Sequence, residues 1–195
     1  MLVVAPLEAI EAYASVLRDC QLKPCSIEIK GFSLERVIGL QYPELRQSGT
    51  YMVVDVHGAA ADVSIYDEGK LRITRSVLVS FRDMEPTDPG RKSAAVGLFA
   101  EYEAASESDF EQAGEALAVE LERMMSFYRY SLDNRTKEMA RIIVTGDVER
   151  LADIAEMLNE RLSRPAEVMR PFTDSPVPSA AYAVPIGLAL RGRRR

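Results

Sequence analysis

The sequence predicts an α/β fold with a mixed sheet and helices packed on it, and three observations predict it. Strand-like and helix-like apolar patterns alternate along the chain. Three β segments with hairpin turn chemistry stand together in the middle, and short buried-type strands run directly into amphipathic helices near both ends. A length of 195 residues with 47% apolar side chains suits one domain, or two small joined ones, with a substantial core.

Taken in order, residues 2–5 form an apolar strand. Pro6 stands where a first helical turn tolerates it, and Leu7, Ile10, Ala14 and Leu17 recur at helical spacing. Lys23 and Pro24 stop that helix. Residues 26–30 alternate with Ile27 and Ile29 on one face, as a second strand would, and Ser33 is placed to cap a helix through Leu40. Residues 41–49 form a connector. Beyond it, residues 50–56, 61–66 and 71–79 are three antiparallel strands, the last two joined by Asp67-Glu68-Gly69-Lys70. On the third, strict alternation puts Leu71, Ile73, Val77 and Val79 on one face and Arg72, Thr74 and Ser76 on the other.

Residues 82–108 carry Pro86, Pro89 and Gly90 and no sustained period apart from a short helix near 94–104, so they read as a surface excursion. Ser108 and Glu111 make a capping box. Phe110, Ala113, Leu117, Leu121, Met124, Tyr128 and Leu132 then mark a long helix with Met124 and Met125 as core filler. Residues 141–145 are a buried strand, Gly146-Asp147 a turn and cap, and Leu151, Ile154, Ala155, Leu158 and Leu162 the stripe of the next helix. Residues 166–169 are a final strand. A Pro-rich loop over 170–178 leads to a small-residue helix over 180–190 that Pro185 should kink.

Thirty acidic against 24 basic residues give a net charge of −6, which excludes nucleic-acid binding through bulk charge. The apolar runs are shorter than a membrane span needs, and the N-terminus lacks the basic region of a signal peptide, so the expected compartment is the cytoplasm. Cys20 and Cys25 are too few for a disulfide framework and have no zinc-site companions. The terminal arginines 191 and 193–195 read as a solvated tail that could touch anionic lipid or an acidic partner. Phosphate-loop, dinucleotide, zinc-protease and nucleophile-elbow motifs are all missing. His57, the only histidine, reads as a half-exposed turn residue, and Asp62 and Asp67 read as surface acids.

A strand ending in Asp55, a tight turn through Val56-His57-Gly58-Ala59-Ala60, a strand running away, and a later strand ending in Thr145-Gly146 before a helix together resemble the second half of an actin-like ATPase. The order of VVAPLEAIEAYASVLRDCQLKPCSIEIKGFSLERVIGL, MVVDVHGAAADVSIYDEGKLRITRSV, ALAVELERMMSFYRY, RIIVTGDVERLADIAEMLNERL and AAYAVPIGLALRG is similar to the PilM proteins. These are actin-like cytoplasmic components of type IV pilus assembly, related to FtsA. The resemblance implies a ribonuclease H-like half with a five-stranded mixed sheet over residues 47–195, with a reduced insertion at 82–108. Residues 1–46 would be the end of a first half. The first phosphate loop is not in the sequence, so the chain is expected to be a piece of a longer protein or a shortened relative.

The resemblance also implies where nucleotide loops would lie: Asp55, His57, Gly58 and Ala59 at the first turn, and Gly146 and Asp147 at the second. Both depart from the family. His57 stands where glycine is usual, Ala60 and Ala61 lie where a hydroxyl is usual, and Asp147 and Val148 replace glycines. A Cβ keeps backbone from approaching a phosphate and a carboxylate repels one, so neither ATP nor magnesium is expected to bind, and no metal site is assigned. The expected function is a non-catalytic scaffold that docks the tail of a PilN-like bitopic membrane protein, reaching the inner face of the membrane through that partner. Homo-oligomers are left open. Two alternatives stand beside it: an ATPase completed by a missing lobe, and an unrelated α/β interaction domain.

Overall fold

The computed structural model describes residues 4–81, 107–132, 135–169 and 180–192. Residues 82–106 of the excursion, the whole loop over 170–178, residues 2 and 3 of the first expected strand and arginines 193–195 lie outside the described residues; Val4 and Ala5 belong to no strand.

Helix α1 (Leu7–Asp19) is followed by a turn and a segment without regular structure, then α2 (Lys30–Gln41) and the short α3 (Pro43–Ser48). Strands β1 (Thr50–Val56), β2 (Ala61–Asp67) and β3 (Lys70–Val77) come next, then α4 (Glu107–Ser131), β4 (Met139–Gly146), α5 (Leu151–Arg161) and β5 (Ala166–Val168). A 3-10 turn, Ala180–Tyr182, leads into α6 (Ala183–Arg191). The five strands form one sheet in the order β3-β2-β1-β4-β5. β1, β2 and β3 are antiparallel neighbours, whereas β4 runs parallel to β1 and to β5.

Every residue of central β1 is buried, as a strand covered on both faces requires. Met52, Val54 and Val56 face α4 and α5, meeting Leu117, Leu121, Ile154 and Leu158. Tyr51 and Val53 face the other way, with Tyr66 and Ile143, against Leu34, Val37 and Ile38 of α2 and Ala183 of α6. Tyr51 and Tyr66 stack at 5.0 Å on this second face. The turn between β2 and β3 holds Glu68 at φ 51° and Gly69 at φ 68°, the left-handed pair of a two-residue hairpin.

Several sequence expectations are corrected. Residues 26–29 form no strand and join no sheet, and Ile27 is exposed. α2 begins at Lys30, so Ser33 is an interior, buried residue whose hydroxyl donates to the Val184 carbonyl at 2.9 Å. The connector contains α3. A register shift between Ile65 and Tyr66 inserts one extra residue in β3. This bulge turns Leu71 to the α2 face while Ile73 and Val77 keep the α4 face, which strict alternation could not foresee. Ser108 lies inside α4, its hydroxyl accepting from Gln112, and Arg150 rather than Asp147 occupies the cap position of α5. Pro185 does not interrupt a helix: α6 starts at Ala183, so the proline falls in a first turn whose N–H groups have no intrahelical partner.

α1 forms as expected, but of its residues only Ala14 is buried. Leu7 is 66% exposed, Tyr13 76% and Val16 61%. An apolar groove of about 930 Å³ runs beside it, lined by Ile10, Ile27, Ile29 and Phe32 with Arg36 and Arg191.

Candidate functional site

The C-terminal ends of the parallel strands β1 and β4 lie side by side, with Val56 opposite Gly146, so the turns that follow them share one edge of the sheet. Gly146 has φ 138°, and a Cβ on it would come within 1.9 Å of the Val56 carbonyl oxygen. The glycine is therefore required by the close approach of the two strands, whatever the turn binds. Asp147 donates its backbone N–H to that same carbonyl at 3.2 Å.

The first turn is closed by the His57 N–H donating to the Ala60 carbonyl at 2.8 Å. The Gly58 carbonyl accepts the Phe81 N–H at 3.0 Å and the Ser80 hydroxyl at 3.3 Å, which ties the turn to the end of the β3 segment. Ala59 is exposed and adds no polar side chain.

Between the turns lies a chain of ionic contacts. His57 Nδ1 is 3.1 Å from Asp147 Oδ1, and His57 Nε2 is 3.1 Å from Asp55 Oδ2. Lys30, the first residue of α2, brings its Nζ to 2.8 Å from the same Nε2 and 3.0 Å from Asp55 Oδ2, and pairs with Asp62. The Ser76 hydroxyl donates to the other oxygen of Asp62. Asp55 and Asp62 are direct cross-strand partners.

The electrostatics follow from these contacts. Burial pushes the Asp55 carboxyl up, but the hydrogen bond from His57 and the charge of Lys30 outweigh it and hold the group below the ordinary carboxylate value. The hydrogen bond to Asp55 raises His57 above 6.5 against the opposing effect of burial. For Lys30, burial favours loss of the proton, yet Asp62 and Asp55 together raise its pKa. When His57 is charged, both ring nitrogens donate to carboxylates; when neutral, Nδ1–H can serve Asp147 while Nε2 accepts from Lys30.

Of the residues singled out in the sequence, Asp55, His57 and Asp147 are brought into direct contact, Gly146 sets the strand spacing, and Gly58 and Ala59 shape the turn. His57 is half-exposed, as expected. Asp62 is not a free surface acid but part of the cluster, and Asp67 is buried at the opposite end of β2. Sequence reasoning missed Lys30 and Asp62. A four-residue turn over 57–60 already sets Asp55 opposite Asp62, so that signal was present; nothing local marks Lys30.

No protein-family model matches the sequence, and no curated protein matches it. Solved structures match in fold. The chain is similar to a PilM–PilN type IV pilus biogenesis complex, with a TM-score of 0.64 and 21% identity over 98% of this chain and 60% of that one. It is similar to MreB5 of Spiroplasma citri bound to ADP, with a TM-score of 0.63 and 13% identity over 96% of this chain and 65% of that one. The ethanolamine utilization protein EutJ from Carboxydothermus hydrogenoformans gives a TM-score of 0.55 and 16% identity over 96% and 62%. The neighbours belong to the actin-like ATPase superfamily, so the fold is actin-like, and the chain spans less than two thirds of the length of each.

Proposed function

We propose that the chain is a non-catalytic scaffold of a type IV pilus or related secretion assembly machine, docking the cytoplasmic tail of a PilN-like membrane protein. The observation that carries this reading is the ionic cluster across the two turns, where a nucleotide of an actin-like ATPase would be held. Lys30 engages both Asp55 and Asp62, so these carboxylates already have a cation partner. His57 spans from Asp55 to Asp147 and bridges the two turns with a side chain. Three carboxylates face one ammonium and one imidazole, an arrangement that repels a polyphosphate. These residues do not fit a magnesium nucleotide.

Two further observations support the reading. A solved neighbour is a PilM–PilN complex. Exposed apolar side chains, including Leu7, Tyr13, Val16, Leu22 and Leu40, concentrate in the N-terminal segment, as on surfaces that another polypeptide covers. In this reading residues 47–195 are the second actin-like half and residues 1–46 the end of the first. Among the described residues no helix is long and apolar enough to cross a membrane. In this reading the partner brings the protein to the inner face of the membrane.

A second reading is an actin-like ATPase completed by another lobe, favoured by the fold shared with an ADP-bound neighbour. Titration of the protein with a fluorescent ATP analogue and magnesium tests the two. The scaffold reading expects no binding at micromolar nucleotide and capture of the protein by an immobilised PilN-like N-terminal peptide; micromolar nucleotide affinity defeats it.

A further inference from the structure

Asp55 and Asp62 are paired directly across antiparallel strands, a position in which like charges destabilise a sheet. The side chain of Asp55 is only 3% exposed, so water does not screen its share of that repulsion. The arrangement requires a cation. Lys30 supplies it from a poor location: it is the first residue of α2, where the positive end of the helix dipole disfavours a base, and no acidic residue occupies that first turn. A side chain that breaks a local rule is explained by what it does across the fold.

The surroundings of the ammonium resemble a metal's ligands more than an ordinary ion pair. Asp55, His57 and Asp62 each offer one ligand atom, and those atoms lie within 4.8 Å of one another. Lys30 Nζ contacts all three residues. His57 presents Nε2 to this point while Nδ1 lies 3.1 Å from Asp147, the carboxylate–histidine relay that fixes the ring of a metal-bound histidine. One imidazole and two carboxylates are a donor set for a divalent first-row transition metal.

We propose that Asp55, Asp62 and His57 form a single-cation pocket whose resident cation is the ammonium group of Lys30, and that the pocket takes up a divalent transition-metal ion such as Zn²⁺ when that ammonium is removed. The inference is independent of what the protein docks, and its test contains no nucleotide and no partner, so the two readings fail separately.

The experiment compares the chain with its Lys30→Met variant, which keeps the apolar stem and removes the charge. Both are made in a Cys20→Ser/Cys25→Ser background because the two exposed thiols would bind zinc themselves. Calorimetry with Zn²⁺, and visible spectra with Co²⁺, should show one ion bound by Lys30→Met with an affinity at least on the order of 100-fold above that of the parent. Adding Asp62→Asn should abolish the gain. A folded Lys30→Met protein that binds Zn²⁺ no better than the parent overturns the proposal, as does a parent that already binds one ion through Asp62. Should Lys30→Met not fold without metal, folding restored by Zn²⁺ or by the additional Asp62→Asn supports it, and failure of both rescues overturns it.

Discussion

The two ends of the β1–β2 pair both bury an aspartate, and they treat it differently. At the far end the buried carboxylate of Asp67 is surrounded by donors, and Glu68 lies 3.8 Å from one of them, Lys137. Lys137 Nζ lies 2.7 and 2.5 Å from the two Asp67 oxygens, Arg72 Nη2 donates at 3.1 Å and the Thr50 hydroxyl at 3.1 Å. Burial pushes this carboxyl up, but the hydrogen bonds from Lys137 and Thr50 prevail and keep it below the ordinary value. At the near end three carboxylates share one lysine and one histidine. The far end balances two carboxylates, Asp67 and the more exposed Glu68, against Lys137 and Arg72, as a structural ion cluster does; the near end's excess of acid is the charge balance of a site that holds something positive.

The largest effect should come from the position that keeps the near end together. Gly146→Ala puts a methyl group into the Val56 carbonyl at an unfavourable φ and should cost about 4 kcal/mol or more, read by urea denaturation. Next is the far end. Asp67→Ala leaves Lys137 and Arg72 facing each other; because both are partly exposed and can rehydrate, the loss should be about 2 kcal/mol rather than the full penalty of a buried broken pair. Asp62→Asn, by contrast, relieves repulsion with Asp55 as it weakens the bond to Lys30, and should change stability by less than about 1 kcal/mol. Equal losses at the two ends would break the contrast.

The smallest effect separates the ends by pH. His57 is raised above 6.5, so its contribution is complete below that value and is lost as pH rises through its folded-state pKa. Asp55 and Asp67 are both held low, so each contributes above 3.8 and loses that contribution as pH falls through its lowered value. Thermal melts should therefore show a loss of stability as pH rises above 6.5 in the parent that is absent in His57→Gln, whereas the acid loss should persist in both.

Much of the fold was legible because its signals are local. The hairpin order of β1 to β3, the stripe of α4 and the β4–α5 unit follow from alternation, helical period and turn residues within a few positions of each other. The failures have a common cause. The face of Leu71 depends on a bulge, the start of α2 at Lys30 on contacts with the cluster and α6, and the exposure of Ile27 on the absence of a strand edge beside it. At the site, Asp55, His57 and Asp147 came from the resemblance to the turns of actin-like ATPases, which rests on the order of strands, turns and helices along the chain. Lys30 did not, because its role exists only where a helix start meets two strands, and no spacing in the sequence records that meeting.

The contact between α2 and α6 has a temporal consequence. A Cβ on Gly187 would lie 2.1 Å from the Ser33 carbonyl, Arg36 Nε donates to the Gly187 carbonyl at 2.8 Å, and Arg191 reaches Glu28 at 2.6 Å. These partners are about 150 positions apart along the chain. During synthesis the layer of α4 and α5 can settle on the sheet while α6 is still inside the ribosome, but α2 has to wait for its clasp. Until then Tyr51, Val53 and Tyr66 have only part of their cover, so α6 seals the layer that α2 begins.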